Sequence, residues 1–433
     1  MADPVPYLIR GGEQAFFRLP ESWRLLAIAA GPAGPPPPAS DQLLSTALST
    51  PIDAPPLADC VSASDTVAVL VEDATRPAPK ALMLDGILST LARAGVPDDR
   101  IRVVVALGTH RPLSETEMAA VFGPAVRRYR FINHDSRAED LVAVGRLDSG
   151  RPVRINRWVA EADFRIGIGT VIPHPLNGFG GGGKILFPGA ADFYSIQEHH
   201  CRLSFAPGTR VGRLSGNPFY QLGPSAALDV RIDFLVNCVM DSADRVGAVV
   251  AGTADGAFAA GVAASRRLLS RRFARRSEVT IVSTFPYTEA TQFIKTVAPA
   301  AAVTVAGGCI LLVFDGSDPL PPVFVAAFEQ CRQRFGGDRA LSGVLEGLRD
   351  GDLPLPDAAV DFNMAVVYTL VMQSRFDIHL CGEAVTAQQS RRMGFRPAAS
   401  LAQAVAEIAR QRPEAGVNVI PAGGLLLPEV AER

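Results

Sequence analysis

The sequence predicts an α/β protein of two domains, each built on a mostly parallel sheet flanked by helices, with the active site in the interdomain cleft. Three observations predict it. Short runs such as TVAVLVED (66–73), IRVVVALGTH (101–110) and FRIGIGTVI (164–172) are rich in valine and isoleucine, the mark of strands buried on both faces. Helical stretches separate them, and strands that alternate with helices imply a parallel sheet. The alternation begins again near residue 279, and 433 residues at 48% hydrophobic content are ample for more than one core.

Taken in order, the proline-rich segments 31–40 (GPAGPPPPAS) and 51–56 (PIDAPP) read as extended surface connections. The first strand follows at 66–73. A helix spans 80–95 (KALMLDGILSTLARAG) and is closed by glycine. After the strand at 101–110, SETE opens a helix over 114–122 with a capping-box pattern and Ser114 at its N-cap. The strand at 164–172 feeds a glycine stretch, and a helix starts near Asp192. Segments 231–241 (RIDFLVNCVMD) and 245–252 (RVGAVVAG) read as a β-hairpin, followed by a helix to about 275. A second alternating region runs through VTIVSTFP (279–286), GGCILLVFDG (307–316) and FDIHLCG (376–382). The expected domains are 1–277 and 278–433, with the last segment able to pack back on the N-terminal domain.

Composition excludes several classes. Charge is nearly balanced, 42 Lys+Arg against 44 Asp+Glu, so nothing points to nucleic acid or an anionic membrane. The basic run RRLLSRRFARR (266–276) reads as a solvated helix face. No secretory pattern opens the chain, and no stretch reaches the ~18 apolar residues of a membrane span. The six cysteines are scattered without a CxxC pair, as expected of reduced thiols in a cytoplasmic protein.

Ligands of open parallel sheets bind beyond the carboxyl ends of the strands. Asp73 and Arg76 follow the first strand, His110 and Arg111 the second, and His174 the third. Two histidines at equivalent strand ends point to a shared site. Next comes GFGGGGK, where Gly180, Gly181, Gly182 and Gly183 run into Lys184. It is not a Walker loop, because Ile185 stands where a hydroxyl would meet Mg²⁺. Backbone amides there can hold an anion, and Lys184 is either a phosphate contact or a covalent attachment point. His199 and His200 follow on a helix. Adjacent helical residues point about 100° apart, so one of them, not both, suits a given metal. Cys201 lies beside them without an assigned role. His134 and His379 read as structural. Gln292 and Lys295 stand one turn apart, either as a carboxylate contact or as a solvated helix face.

The ordered set DATRP, GTHRP, HP with GGGGK and PG, a histidine soon after, and a distal QxxK resembles the lactate racemase family over about residues 66–295. The resemblance implies a nickel-pincer nucleotide (nickel pyridinium-3,5-bisthiocarboxylic acid mononucleotide) tethered to Lys184, with His200 completing nickel coordination and His199 as the fallback. It implies acid/base roles for His110 and His174. Asp73, Arg76 and the glycines become cofactor-pocket residues; Arg76, Gln292 and Lys295 become substrate contacts. Thr291 stands where the family often has tyrosine. The implied activity is a 2-hydroxy acid racemase or epimerase, with hydride transfer from Cα to the cofactor through a 2-keto acid. The alternative is a differently reacting or non-catalytic nucleotide- and nickel-binding relative. The implied partners are a small 2-hydroxy acid and the proteins that make the cofactor.

Overall fold

A computed structural model of the chain describes residues 4–31, 36–223, 228–317, 319–336 and 340–431. Two six-stranded sheets organise it. In chain order their strands are β1 (Arg24–Ile28), β2 (Val67–Val71), β3 (Ile101–Val105), β4 (Arg130–Asn133), β5 (Phe164–Thr170), β6 (Phe234–Met240), β7 (Val246–Gly252), β8 (Ser277–Ser283), β9 (Thr304–Val313), β10 (Asp377–Cys381), β11 (Arg396–Ala398) and β12 (Gly416–Ile420).

The first sheet has the order β7–β6–β5–β2–β3–β4, parallel except for β7, which returns antiparallel on β6 as the predicted hairpin. Every residue of β2 is buried. That is why VAVLV carries no polar alternation, and each such side chain contributes about 1.5–3 kcal/mol of apolar burial. The helix Lys80–Arg93 buries Met83, Leu84, Ile87, Leu88 and Leu91 along one stripe, and Gly95 at φ +82° ends it. The helix Glu115–Phe122 carries the full capping box expected of Ser114 and Glu117.

The second sheet has the order β11–β10–β9–β8–β12–β1 and is parallel throughout. Its two faces hold separate cores. One contains Phe293, Phe314, Phe324 and Phe328, the other Trp23, Val279, Leu311 and Ile408.

The chain divides into two compact units, one of Gly34–Asp241 and Arg245–Leu268, the other of Met1–Ala33, Ser242–Asp244 and Leu269–Arg433. This differs from a division at 277/278 in two places. The N-terminal segment supplies β1 to the second sheet. The helix expected to run to about 275 ends at Leu269, because Ser270–Phe273 becomes a strand paired in parallel with Leu427–Val430. That pairing also keeps the chain's last described strand in the second unit, in place of the first. Among the described residues no helix is long and apolar enough to cross a membrane, and the six cysteines form no disulfide.

Candidate active site

The first sheet reverses its winding at its centre, with β3 and β4 on one side of β2 and β5 on the other. Crevices for ligands open at such a switch point. The loops after β2, β3 and β5 carry Asp73 and Arg76, His110, and His174 through Lys184.

Asp73 is buried and organises its own loop. Its Oδ1 accepts from the Thr75 amide at 2.9 Å and the Thr75 hydroxyl at 2.6 Å, a local turn typical of aspartate. Thr75 Oγ1 in turn accepts from Arg76 Nη1 at 2.8 Å, and the Arg76 carbonyl accepts from the buried Lys80. The other oxygen, Oδ2, is hydrogen-bonded to His110 Nδ1. Burial pushes the Asp73 carboxyl up. The charge and hydrogen bond of His110, with Arg76 and Thr75, outweigh that and hold it well below the usual carboxylate range. A carboxylate can only accept, so the proton of this pair lies on His110 Nδ1 and Nε2 is the basic nitrogen.

His174 has the opposite tautomer. Its Nδ1 accepts from the backbone amides of Leu176 at 3.3 Å and Asn177 at 3.0 Å, which leaves the ring proton on Nε2. That nitrogen faces Lys184 Nζ at 3.2 Å. A protonated amine would set donor against donor; a neutral amine accepts from Nε2–H. Electrostatics agree. Burial, helped by the charge of Arg76, brings the Lys184 amine down to about 7. Lys184 is therefore a nucleophilic amine near neutral pH.

In the glycine run before Lys184, Gly180, Gly181 and Gly182 are buried and packed on the sheet's end. A Cβ on Gly181, at φ +78°, would meet Val171 at 2.8 Å and Asn237 Oδ1 at 2.9 Å. One on Gly182, at φ +60°, would meet Phe258 at 2.6 Å. The amides of Gly180, Gly182 and Lys184 donate to Ile172 O, Asn237 Oδ1 and Gly181 O. This corrects the anion-cradle reading at Gly180 and Gly182, whose amides are committed to protein oxygens. The run is a packed corner that sets where Lys184 stands. The following turn is fixed to the His110 loop, with the Gly108 amide donating to Gly189 O at 2.8 Å.

The helix Phe193–Leu203 starts at Asp192, whose Oδ1 accepts from the Ser195 amide at 2.9 Å. His199 is buried against the rings of Phe187 and Phe219, and its Nε2 donates to Phe219 O at 3.0 Å. His200 donates from Nδ1 to Ile196 O at 2.9 Å, so its Nε2 carries a lone pair. This is the arrangement of a metal-binding imidazole, whose second nitrogen is anchored to a backbone carbonyl. Burial keeps both rings neutral, His199 at about 4 and His200 well below its ordinary value, where the adjacent His199 adds to the effect. Cys201 is buried in the same helix.

Gln292 and Lys295 belong to the other unit. They form no exposed helix face: Gln292 is buried, on the short helix Ala290–Phe293, and its Oε1 accepts from Lys295. The Thr291 side chain lies outside the described residues. Glu72, Asn237 and their neighbours Thr170 and Lys80 escaped sequence reasoning. Glu72 accepts from Thr170 Oγ1 at 2.7 Å, and its charge acts on Lys80 and Lys184. Asn237 seats the Gly182 amide. A legible signal existed for Asn237, a lone polar residue within the apolar run FLVNCVM of β6.

Residues 11–212 match the family model of the lactate racemase N-terminal domain. The lactate racemase of Thermoanaerobacterium thermosaccharolyticum is 31% identical over 224 residues, 51% of this chain and 52% of that protein. The lactate racemase of Lactiplantibacillus plantarum is 30% identical over 223 residues, with the same shares. The aligned part thus spans about half the length of these relatives. The solved lactate racemase apoprotein of T. thermosaccharolyticum has the same fold across 98% of this chain and 100% of its own, with a TM-score of 0.85 at 23% identity. A protein of Thermotoga maritima shares the fold more loosely, with a TM-score of 0.61 at 17% identity over 90% of this chain. The matched residues contain His110, His174, Lys184 and His200, all within one compact unit.

Proposed function

We propose that this protein is a 2-hydroxy acid racemase or epimerase that works with a nickel-pincer nucleotide attached to Lys184. The observation that carries the reading is the pair of oppositely protonated histidines beside a neutral lysine. The residues fit such a group. A neutral amine is what a covalent amide-type tether requires, and His200 offers an anchored imidazole lone pair to nickel. His199 fits less well, since its ring is wedged among phenylalanines. When bound, the cofactor supplies the hydride acceptor for the substrate's Cα.

The chain's own residues do the rest. Asp73 fixes the ring proton of His110 on Nδ1 and leaves Nε2 as the basic nitrogen, suited to taking the hydroxyl proton. His174 holds a proton at Nε2, suited to a hydrogen bond with an oxygen on the substrate or its 2-keto form. Arg76 adds a cation for the substrate carboxylate. Inversion at one carbon needs a group on either side that can take and return the hydroxyl proton, and His110 and His174 are the two imidazoles the site offers for that.

The test is to express the chain with the cofactor-synthesis proteins, map the mass of the Lys184 peptide, measure nickel, and follow inversion of single enantiomers of 2-hydroxy acids. A nucleotide adduct on Lys184, about one nickel per chain and inversion lost by ~10²-fold or more in His110→Ala are expected. Unmodified Lys184 in cells that load a known lactate racemase would overturn the reading.

A further inference from the structure

The second sheet carries a cluster of donor atoms that the proposed reaction does not use. Cys309 lies on β9 and Asp377 on β10 as direct register partners, and His379 follows Asp377 by two residues. Side chains two apart on a strand share a face. The three therefore line one face of the sheet, at the amino end of its parallel strands. Cofactor chemistry in such folds sits at the opposite, carboxyl end.

Three facts make the cluster unusual. The thiol, one carboxylate oxygen and one imidazole nitrogen all lie within 4.8 Å of one another. Cys309 and His379 are fully buried, and neither ring nitrogen of His379 has a hydrogen-bond partner. An imidazole in a core normally finds one, because desolvating both nitrogens is costly. Asp377 Oδ2 stands 3.6 Å from His379 Nε2, past hydrogen-bond length. Two ligands bound at ~2.0–2.1 Å to a tetrahedral zinc lie ~3.3 Å apart, so the spacing is nearly that of a ligand pair. Meanwhile Asp377 Oδ1 accepts from Arg396 Nε at 2.5 Å, which orients the carboxylate and leaves Oδ2 directed at the cluster.

We propose that Cys309, Asp377 and His379 form a second metal site, one that takes a zinc-like divalent ion and is separate from the nickel chemistry. The donor set chooses the ion: a sulfur and an imidazole exclude the all-oxygen preferences of calcium and magnesium and suit zinc. Binding replaces the thiol proton, so one proton is released per ion. Thiolate and carboxylate together then neutralise the divalent charge. The ion gives a partner to one of the two unpartnered His379 nitrogens, and the ring proton lies on the other. Asp377 is partly solvent-exposed, which gives the ion a route in and a water for its fourth position.

The experiment uses the full chain made without the cofactor-synthesis proteins, stripped with chelator and titrated with cobalt(II) as the probe. A thiolate-to-cobalt band in the near ultraviolet, saturating at about one equivalent and bleached by zinc, is expected. It should vanish in Cys309→Ser, weaken at least ~10-fold in affinity in His379→Gln, and persist in Cys201→Ser. X-ray absorption at the zinc edge of the wild-type protein needs no variant and should show one sulfur in the first shell. A wild-type chain with no sulfur-ligated metal, or a band that survives in Cys309→Ser, overturns the proposal. Neither result bears on Lys184, so this site and the racemase reading stand or fall separately.

Discussion

Lys184 turns on which atom carries the proton. With the amine at about 7 in the folded chain and near 10.5 when unfolded, the unfolded chain holds a proton between those values that the folded chain has released. Stability therefore rises with pH across that window. Lys184→Met removes this dependence, so the variant should melt higher than wild type at pH 6 and lose most of that advantage by pH 10, as read by calorimetry. Amine-reactive labelling of Lys184 in the apo chain should show a midpoint near pH 7, well below that of a solvent-exposed lysine at ~10.4. The His110–Asp73 pair predicts a different signature. Asp73→Asn keeps the shape but cannot hold the proton on Nδ1 as firmly, and it should slow the loaded enzyme by ~10²–10⁴ with little change in KM. An Asp73→Asn enzyme as fast as wild type would remove that aspartate from the mechanism.

At the scale of elements, the glycine run and its neighbours carry the next prediction. Gly182→Ala places a methyl into Phe258 at a positive φ. It should cost about 1–3 kcal/mol in urea unfolding and shift the labelling midpoint of Lys184 toward that of an ordinary lysine. This corner also shows what could be read in advance. Strands β2, β3 and β5 were legible because full burial leaves an unbroken apolar run. The strand β4 was not, because RFIN is short and only partly buried. The strand β12 escaped because Asn418 breaks its short apolar run, and β1 because it is only partly buried and begins with an exposed arginine. Site residues at strand ends were legible from position alone. Their partners were not: the Asp73–His110 bond spans 37 residues, and the Asn237–Gly182 bond spans 55. Tautomers, which decide base from donor, exist only once those contacts form.

At the scale of the whole molecule, the second unit is built from both ends of the chain. Removing residues 4–31 deletes β1 and bares the edge of β12. Such an edge invites pairing between chains. The truncated protein should melt lower by at least ~2–4 °C and aggregate at concentrations where the full chain stays dispersed, as light scattering would show. Equal melting and scattering would mean that β1 adds nothing to the sheet.

This two-ended construction also sets a schedule. The strand β1 emerges from the ribosome about 390 residues before β12, its partner, a wait of roughly 20–80 s at ~5–20 residues/s. The unit that holds Lys184 contains no residue beyond 268 and is fully synthesised while the other sheet still lacks its middle strands. During that interval every residue of the Lys184 unit has been made, while the other unit is still incomplete. Loading the pocket before the last strands arrive would then be a matter of timing during synthesis, independent of any later opening of the mature protein.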